Sequence, residues 1–184
     1  MRIVAGAFRG RSLVAPKGHS TRPTADRVRE AMFNVLEHAP WGRPPTGARV
    51  LDLFAGSGAL GLEALSRGAA FCQFVDRGAE ARAAISANLE SLGCGQRARL
   101  QGGDAGRLSG HAETPFDLAF LDPPYGRGLD GAALAGLAAG GWLAKEALAI
   151  VERGADEPAL AAAGFEILDT RRWGAACVWF LKPV

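Results

Sequence analysis

Four aspartates and one tetrapeptide carry the chemistry that is legible in this chain. Asp122-Pro123-Pro124-Tyr125 follows a strong apolar run at residues 116–121. The two prolines fix φ and remove two backbone donors, and Pro123 holds Asp122 out of helical geometry. The segment reads as a rigid ledge whose carbonyls are free to accept hydrogen bonds, with the Asp122 carboxylate as a further acceptor. A planar exocyclic amine has two N–H donors that such a ledge can hold, and Tyr125 can stack on the ring that carries the amine. These bonds reduce delocalisation of the nitrogen lone pair into the ring. The lone pair can then attack a methyl group in line with a sulfonium. Catalysis of this kind is positioning and electrostatics, and it needs no general base before transfer. A base inside a helix must be flipped out to reach the ledge.

The other three aspartates follow apolar strand patterns. Val50 to Gly61 reads V-L-D-L-F-A-G-S-G-A-L-G: a buried strand containing Asp52, a tight turn of Ala55, Gly56, Ser57 and Gly58, then residues at helical spacing. Strand, glycine turn and helix form the opening unit of a nucleotide-binding α/β fold. Gly56 to Gly61 formally matches G-x-G-x-x-G, which alone also admits NAD. Three features point away from hydride transfer: Asp52 inside the strand, acids closing the first three strand regions (Asp52, Asp76, Asp104), and the Asp-Pro-Pro-Tyr segment. The acids fit S-adenosylmethionine. Asp76 is positioned for the two ribose hydroxyls, Asp104 with Ala105 for the adenine edge, and Asp52 for the methionine amino group. This cofactor has no pyrophosphate, so the glycines allow close approach and do not cradle phosphate.

These groups need a scaffold that gathers strand ends, and the hydropathy pattern supplies one. Residues 2–15 read as a β-hairpin, with Ile3, Val4 and Phe8 before Arg9-Gly10-Arg11 and Leu13 and Val14 after it. Thr24 is a suitable N-cap for a helix opened by Asp26 and Arg27 and continued by Ala31, Met32, Val35 and Leu36. Residues 39–47, with three prolines and two glycines, read as a linker. The expected organisation is an appendage over 1–38, the linker, and a main domain over 48–184. There the pattern predicts strands at 49–54, 71–75, 98–101, 116–121 and 148–152. Helices are predicted at 60–67, 79–92 and 129–143, with a short one at 157–163. Two last strands, 165–172 and 176–182, are joined too tightly for a crossover helix and must be antiparallel. The sum is an α/β fold with a mostly parallel sheet and a terminal antiparallel hairpin.

The 184 residues, 48% of them hydrophobic, suffice for one domain with a sizeable core. No apolar run approaches a membrane span, and residues 1–6 lack the apolar core of a signal peptide. Cys72, Cys94 and Cys177 form no metal or redox motif and suit a reducing cytoplasm. His19, His38 and His111 show no ligand spacing, so no metal is expected. Net charge is only +2, but residues 1–30 hold seven cations against two acids, a net +5 that leaves −3 on the remainder. A basic arm on a mildly acidic body suggests a polyanionic partner.

Asp52-Leu53-Phe54-Ala55-Gly56-Ser57-Gly58 and Asp122-Pro123-Pro124-Tyr125 resemble motifs of amino-group methyltransferases acting on nucleic acid bases. More specifically, Arg9-Gly10-Arg11 followed by Thr21-Arg22-Pro23-Thr24-Ala25-Asp26-Arg27-Val28-Arg29-Glu30 is similar to bacterial 16S ribosomal RNA guanine-N2 methyltransferases. These are the small single-domain type that modifies the 30S subunit. The resemblance covers nearly the whole chain, with the C-terminal third less distinctive. It implies a Rossmann-like class I S-adenosylmethionine-dependent methyltransferase with a seven-stranded, mostly parallel sheet and an N-terminal β-hairpin. It also implies methyl transfer to the exocyclic N2 amine of a guanine in 16S rRNA of the assembled 30S particle. Asp122, Pro123, Pro124 and Tyr125 would then hold the guanine. Arg22, Thr24 and Arg27 would lie near cofactor and base, and Arg9 and Arg11 on the RNA. One departure is Asp76, where relatives commonly carry Glu.

Three rivals remain. An N6-adenine DNA methyltransferase shares the tetrapeptide, but such enzymes usually carry a target-recognition insert for which this chain has no room. Methylation of a protein side-chain amide does not explain the basic arm. A non-catalytic ribosome-assembly binder does not explain the intact tetrapeptide and glycine turn. Nothing in the sequence demands an oligomer, so a cytoplasmic monomer is the expectation.

Overall fold

The central strands are apolar on both faces because helices cover both sides, as expected where a sheet is parallel. β1 (Arg49–Leu53), β2 (Phe71–Asp76), β3 (Ala98–Gly102), β4 (Phe116–Leu121) and β5 (Leu143–Gly154) pair in parallel. β6 (Phe165–Trp173) and β7 (Ala176–Pro183) complete a seven-stranded sheet in the order β3-β2-β1-β4-β5-β7-β6. β7 lies between β5 and β6 and is antiparallel to both. The mostly parallel sheet with its antiparallel C-terminal pair is therefore as the sequence predicts. The computed structural model describes residues 1–16, 23–108, 110, 112–124 and 126–184, with the backbone alone for Pro23 and Thr24.

Alternation along each strand separates two cores. Val50, Phe74, Phe120, Ile150 and Phe180 face α1 (Pro23–His38), α2 (Ala59–Ser66) and α3 (Ala79–Leu92), which contribute Met32, Phe33, Leu36, Leu62 and Ile85. Leu51, Leu53, Leu121 and Val151 face the other way, onto Ala133, Leu134 and Leu137 of α4 (Leu129–Ala139). Phe33 is fully buried, with its ring centroid 5.4 Å from that of Phe120. Burial of such side chains contributes roughly 1.5–3 kcal/mol each, which fixes α1 against the sheet. No helix among the described residues is long and apolar enough to cross a membrane.

The N-terminal β-hairpin is not formed. Residues 1–13 double back, but Arg2 and Ser12 make the one isolated antiparallel bridge there. Ile3 N, Gly10 N and Leu13 N bond across the bend, but the amides that would extend the pairing turn to α2 instead. Val4 N and Ala5 N donate to the Glu63 carboxylate at 2.8 and 2.9 Å, Ala7 N to the Ser66 carbonyl at 2.8 Å, and Phe8 N to the Ser66 hydroxyl at 2.9 Å. Gly6, at φ 79°, permits this approach, since a Cβ there would collide with the Ser66 carbonyl. Glu63 is fully buried and also accepts from Arg67 Nε at 2.9 Å, with Arg29 Nε 3.5 Å away. A buried carboxylate of this kind requires paired cations and donors.

Other elements also differ from expectation, β5 among them, which starts at Leu143 and not at 148. α1 begins at Pro23, so Thr24 lies inside its first turn and is not the N-cap. α4 ends at Ala139 and not at 143, because Gly141, at φ 59°, turns the chain into β5. No helix forms over 157–163. Glu157 instead closes back on Gly154 N at 2.9 Å, and Arg153 takes the Pro158 carbonyl, so β5 holds this segment.

Candidate active site

In open α/β sheets, ligands bind where the strand order reverses, outside the carboxyl ends of the strands. Here that point lies between β1 and β4, which are neighbours in the sheet although β2 and β3 intervene in the chain. A cavity of about 570 Å³ opens there. Asp52, Phe54, Ala55, Gly56 and Ser57 line it from β1 and its turn, and Asp76 from β2. Asp104 and Ala105 enter from beyond β3, Asp122, Pro123 and Pro124 from β4, and Glu152 from β5. Ala25 and Arg29 of α1 and Met1, Ala15 and Pro16 of the N-terminal segment close the side above the strand ends. The expected cofactor acids and the Asp-Pro-Pro ledge thus share one cavity.

The turn after β1 is held by the acids themselves. Asp52 accepts Gly61 N at 2.9 Å, and Asp76 accepts Gly56 N at 2.9 Å and Gly78 N at 2.7 Å. Phe54 sits at φ 59° and Gly56 at φ 57°. A non-glycine residue at positive φ is uncommon, and here it falls at the cavity wall. Gly58, at φ 78°, is turned away: a Cβ on it would come within 3.2 Å of Ile85 and Phe74, so its place is against the core at the start of α2. Asn88 donates to the Ser57 carbonyl at 3.0 Å and pairs both ways with the Val14 backbone, tying turn and N-terminal segment together. Asp104 caps a 3₁₀ turn by accepting Gly106 N at 3.0 Å, and Ala105 is buried beside it.

The electrostatics favour a cationic ligand. Asp52 is 1% exposed, and burial, opposed by the Gly61 N–H and reinforced by Asp76, pushes its carboxyl up to about 8. Asp122 is exposed on the cavity wall. Partial desolvation by the surrounding protein, then the charges of Glu152 and Asp52, raises its carboxyl above the ordinary carboxylate range. A phosphate would be repelled by this lining, and carboxylates already engage the Gly56 and Gly61 amides. S-adenosylmethionine fits: its sulfonium and ammonium suit the carboxylates, and its adenine suits Phe54, Ala105 and Leu129. Carboxylate oxygens have more than one acceptor direction each, so Asp76 can hold a diol while keeping its two backbone donors.

The basic residues divide. Arg9 and Arg27, both exposed, meet with Arg2 in a groove of about 460 Å³ between the N-terminal segment and α1, beside Asp26 and Glu30. Arg11 lies apart, donating to the Ser91 carbonyl at 2.6 Å. Arg22, Tyr125, His19 and His111 lie outside the described residues, as does the Thr24 side chain. Sequence reasoning passed over Glu152, Arg29 and Phe54. Glu152 had a signal of the same kind as the others, an acid ending the apolar run Leu148-Ala149-Ile150-Val151. Arg29 and Phe54 had none, since their placement depends on the packing of α1 and on one backbone dihedral.

Known proteins share both sequence and fold. The chain is 42% identical over 153 residues to the ribosomal RNA small subunit methyltransferase D of Escherichia coli K12, covering 83% of this chain and 74% of that one. To the protein of the same name from Haemophilus influenzae it is 35% identical over 177 residues, 95% and 89% of the two chains. The solved structure of yhhF from Escherichia coli superposes with a TM-score of 0.82 at 35% identity, over all of this chain and 97% of that one. The sheet order with its inserted antiparallel β7 is that of the class I S-adenosylmethionine-dependent methyltransferases. The model of one family matches residues 1–182, and the chain belongs to that family, described as conserved hypothetical protein 95.

Proposed function

We propose that this chain transfers a methyl group from S-adenosylmethionine to the exocyclic N2 amine of a guanine in 16S rRNA of the assembled small ribosomal subunit. The observation that carries this reading is the single cavity in which Asp52, Asp76 and Asp104 converge with the Asp122-Pro123-Pro124 ledge. The relatives named ribosomal RNA small subunit methyltransferase D support the RNA substrate. When bound, S-adenosylmethionine supplies the methyl group as an electrophile. Asp52 takes the methionine ammonium, Asp76 the ribose hydroxyls, and Asp104 with Ala105 the adenine edge, while Gly56 and Ser57 let the backbone come close. Asp122 and the carbonyls of the ledge accept the two N–H groups of the target amine, with Tyr125 as the stacking partner of the base. Arg9 and Arg27 line the groove between the N-terminal segment and α1, where they attract backbone phosphates; we add Arg11, Arg22 and Thr24 to this RNA-facing set.

In this reading residues 48–184 form the transfer domain, and residues 1–38, packed on it across 39–47, face the RNA. The enzyme works as a cytoplasmic monomer. The test is labelled-methyl transfer to 30S particles lacking the modification, with free 16S RNA and duplex DNA alongside. N2-methylguanosine from 30S particles is expected. Label only in DNA, as N6-methyladenine, would overturn the RNA reading while keeping the cofactor site.

A further inference from the structure

We propose that Glu152 selects guanine, its carboxylate accepting the N1–H of the base whose N2 amine rests on the Asp122-Pro123-Pro124 ledge. The proposal rests on the guanine-N2 reading above. β4 and β5 pair Leu121 with Val151 in parallel register, so Asp122, the first residue past β4, stands beside Glu152 of β5, at the roughly 5 Å spacing of adjacent strands. Across the antiparallel pair, Glu152 stands opposite Val178, which is buried in the core under α1. Directly opposed residues share a face, so Glu152 stands on the side where Asp52 and Arg29 also line the cavity. Its charge acts directly on Asp122.

Guanine presents N1–H and the N2 amine as adjacent donors on one edge. Adenine presents an acceptor at N1. A carboxylate beside the ledge therefore attracts the first base and repels the second. Asp122 and the prolines alone serve the amine of either base, which is why the tetrapeptide left both open. Two carboxyl groups side by side on adjacent strands match two adjacent donors, and the second of them carries the discrimination.

The experiment places 2-aminopurine, which keeps the N2 amine but has an acceptor at N1, at the methylated guanine of reconstituted 30S particles. Transfer by the full chain is compared on the two bases as kcat/KM. The wild type is expected to favour guanine by about 100-fold or more, the rejection typical of a site built around a substrate N–H. Glu152→Gln offers an amide N–H to the acceptor N1 and is expected to bring the ratio below about tenfold, with S-adenosylmethionine affinity by calorimetry held within about twofold. Glu152→Asp should retain the preference. Equal wild-type rates on the two bases would overturn the proposal without any variant, so it stays testable even if Glu152→Gln does not fold. An unchanged ratio in folded Glu152→Gln also overturns it, as does a more than tenfold loss of cofactor affinity, which would assign Glu152 to the cofactor. No label on guanine with the wild type overturns the underlying reading and this proposal together, and is distinguished by silence in the guanine arm itself.

Discussion

Asp52→Asn should stabilise the ligand-free protein while weakening its cofactor site. Asp52 is 1% exposed and its carboxyl is pushed from 3.8 up to about 8. Between those values the unfolded chain ionises this group and the folded chain does not. The folded state therefore holds the extra proton, and its stability falls as pH rises from about 4 to about 8. At about 1.4 kcal/mol per pH unit, the loss from this residue reaches up to about 6 kcal/mol at pH 8. Asparagine retains an oxygen for Gly61 N and carries no charge, so its contribution is flat across the window. The stability difference between Asp52→Asn and wild type should thus widen from pH 4 to pH 8 by at least about 2 kcal/mol. In a domain of this size that is roughly 4–8 °C in Tm. Thermal unfolding of both proteins across this range checks it. Asp122 titrates in both proteins and feels the Asp52 charge, so the difference between them reports Asp52 together with that coupling. S-adenosylmethionine favours the ionised form, so its binding near pH 7 should release a proton in the wild type and not in the variant, read as the buffer dependence of calorimetric heat. A constant offset between the two stability profiles, or a wild type that gains stability over this window, would refute the argument.

Asp122→Ala should lower single-turnover methyl transfer by about 100- to 1,000-fold, the usual cost of one preorganised polar contact to the reacting group, with cofactor affinity by calorimetry little changed. The wild-type rate should rise with pH, with its acid limb above the ordinary carboxylate range, because ionised Asp122 is the stronger acceptor for the amine hydrogen it shares out with the ledge carbonyls; Asp52→Asn should move that limb to lower pH by removing a neighbouring charge. Glu63→Ala leaves Arg29, Arg67 and the Val4 and Ala5 amides without their shared acceptor; it should cost about 3–5 kcal/mol in urea unfolding and speed hydrogen exchange at Val4 and Ala5. Gly61→Ala puts a Cβ 2.4 Å from Phe74 Cε1 and 2.5 Å from Cys72 Sγ, forcing α2 off β2 at a cost of about 1–3 kcal/mol. Gly95→Ala, with nothing within 4 Å, should stay within about 0.5 kcal/mol in the same assay.

The central strands were readable because both of their faces are apolar, and Phe116–Leu121 and Ala79–Leu92 come out at their predicted bounds. The aspartates were readable because a charged residue closing such a run has nowhere to go but the crevice. Local pattern failed where distant groups decided the backbone. Apolar residues on either side of Arg9-Gly10-Arg11 look like a hairpin, yet Glu63 and Ser66, some 60 residues away, take the amides of Val4, Ala5 and Phe8. The composition of 157–163 favours helix, but Arg153 and Glu157 fix that backbone from the end of β5. Arg29 could not be placed, since its charge is matched by Asp26 beside it and by Glu63 on another helix.

The insertion of β7 between β5 and β6 sets an order of assembly. During synthesis β6 emerges before the strand that joins it to the sheet, so the outer edge of β5 waits unpaired while residues 155–175 are made. Ala149, Ile150 and Val151 on that edge are wholly apolar, the kind of surface that invites association with another chain. Completion of the hairpin caps this edge and brings β6 in with it, leaving Glu166, Asp169, Arg171 and Arg172 along the new rim. The charge-rich outer strand thus acts as a guard against edge-to-edge aggregation, and it takes up that post only once the last strand is in place.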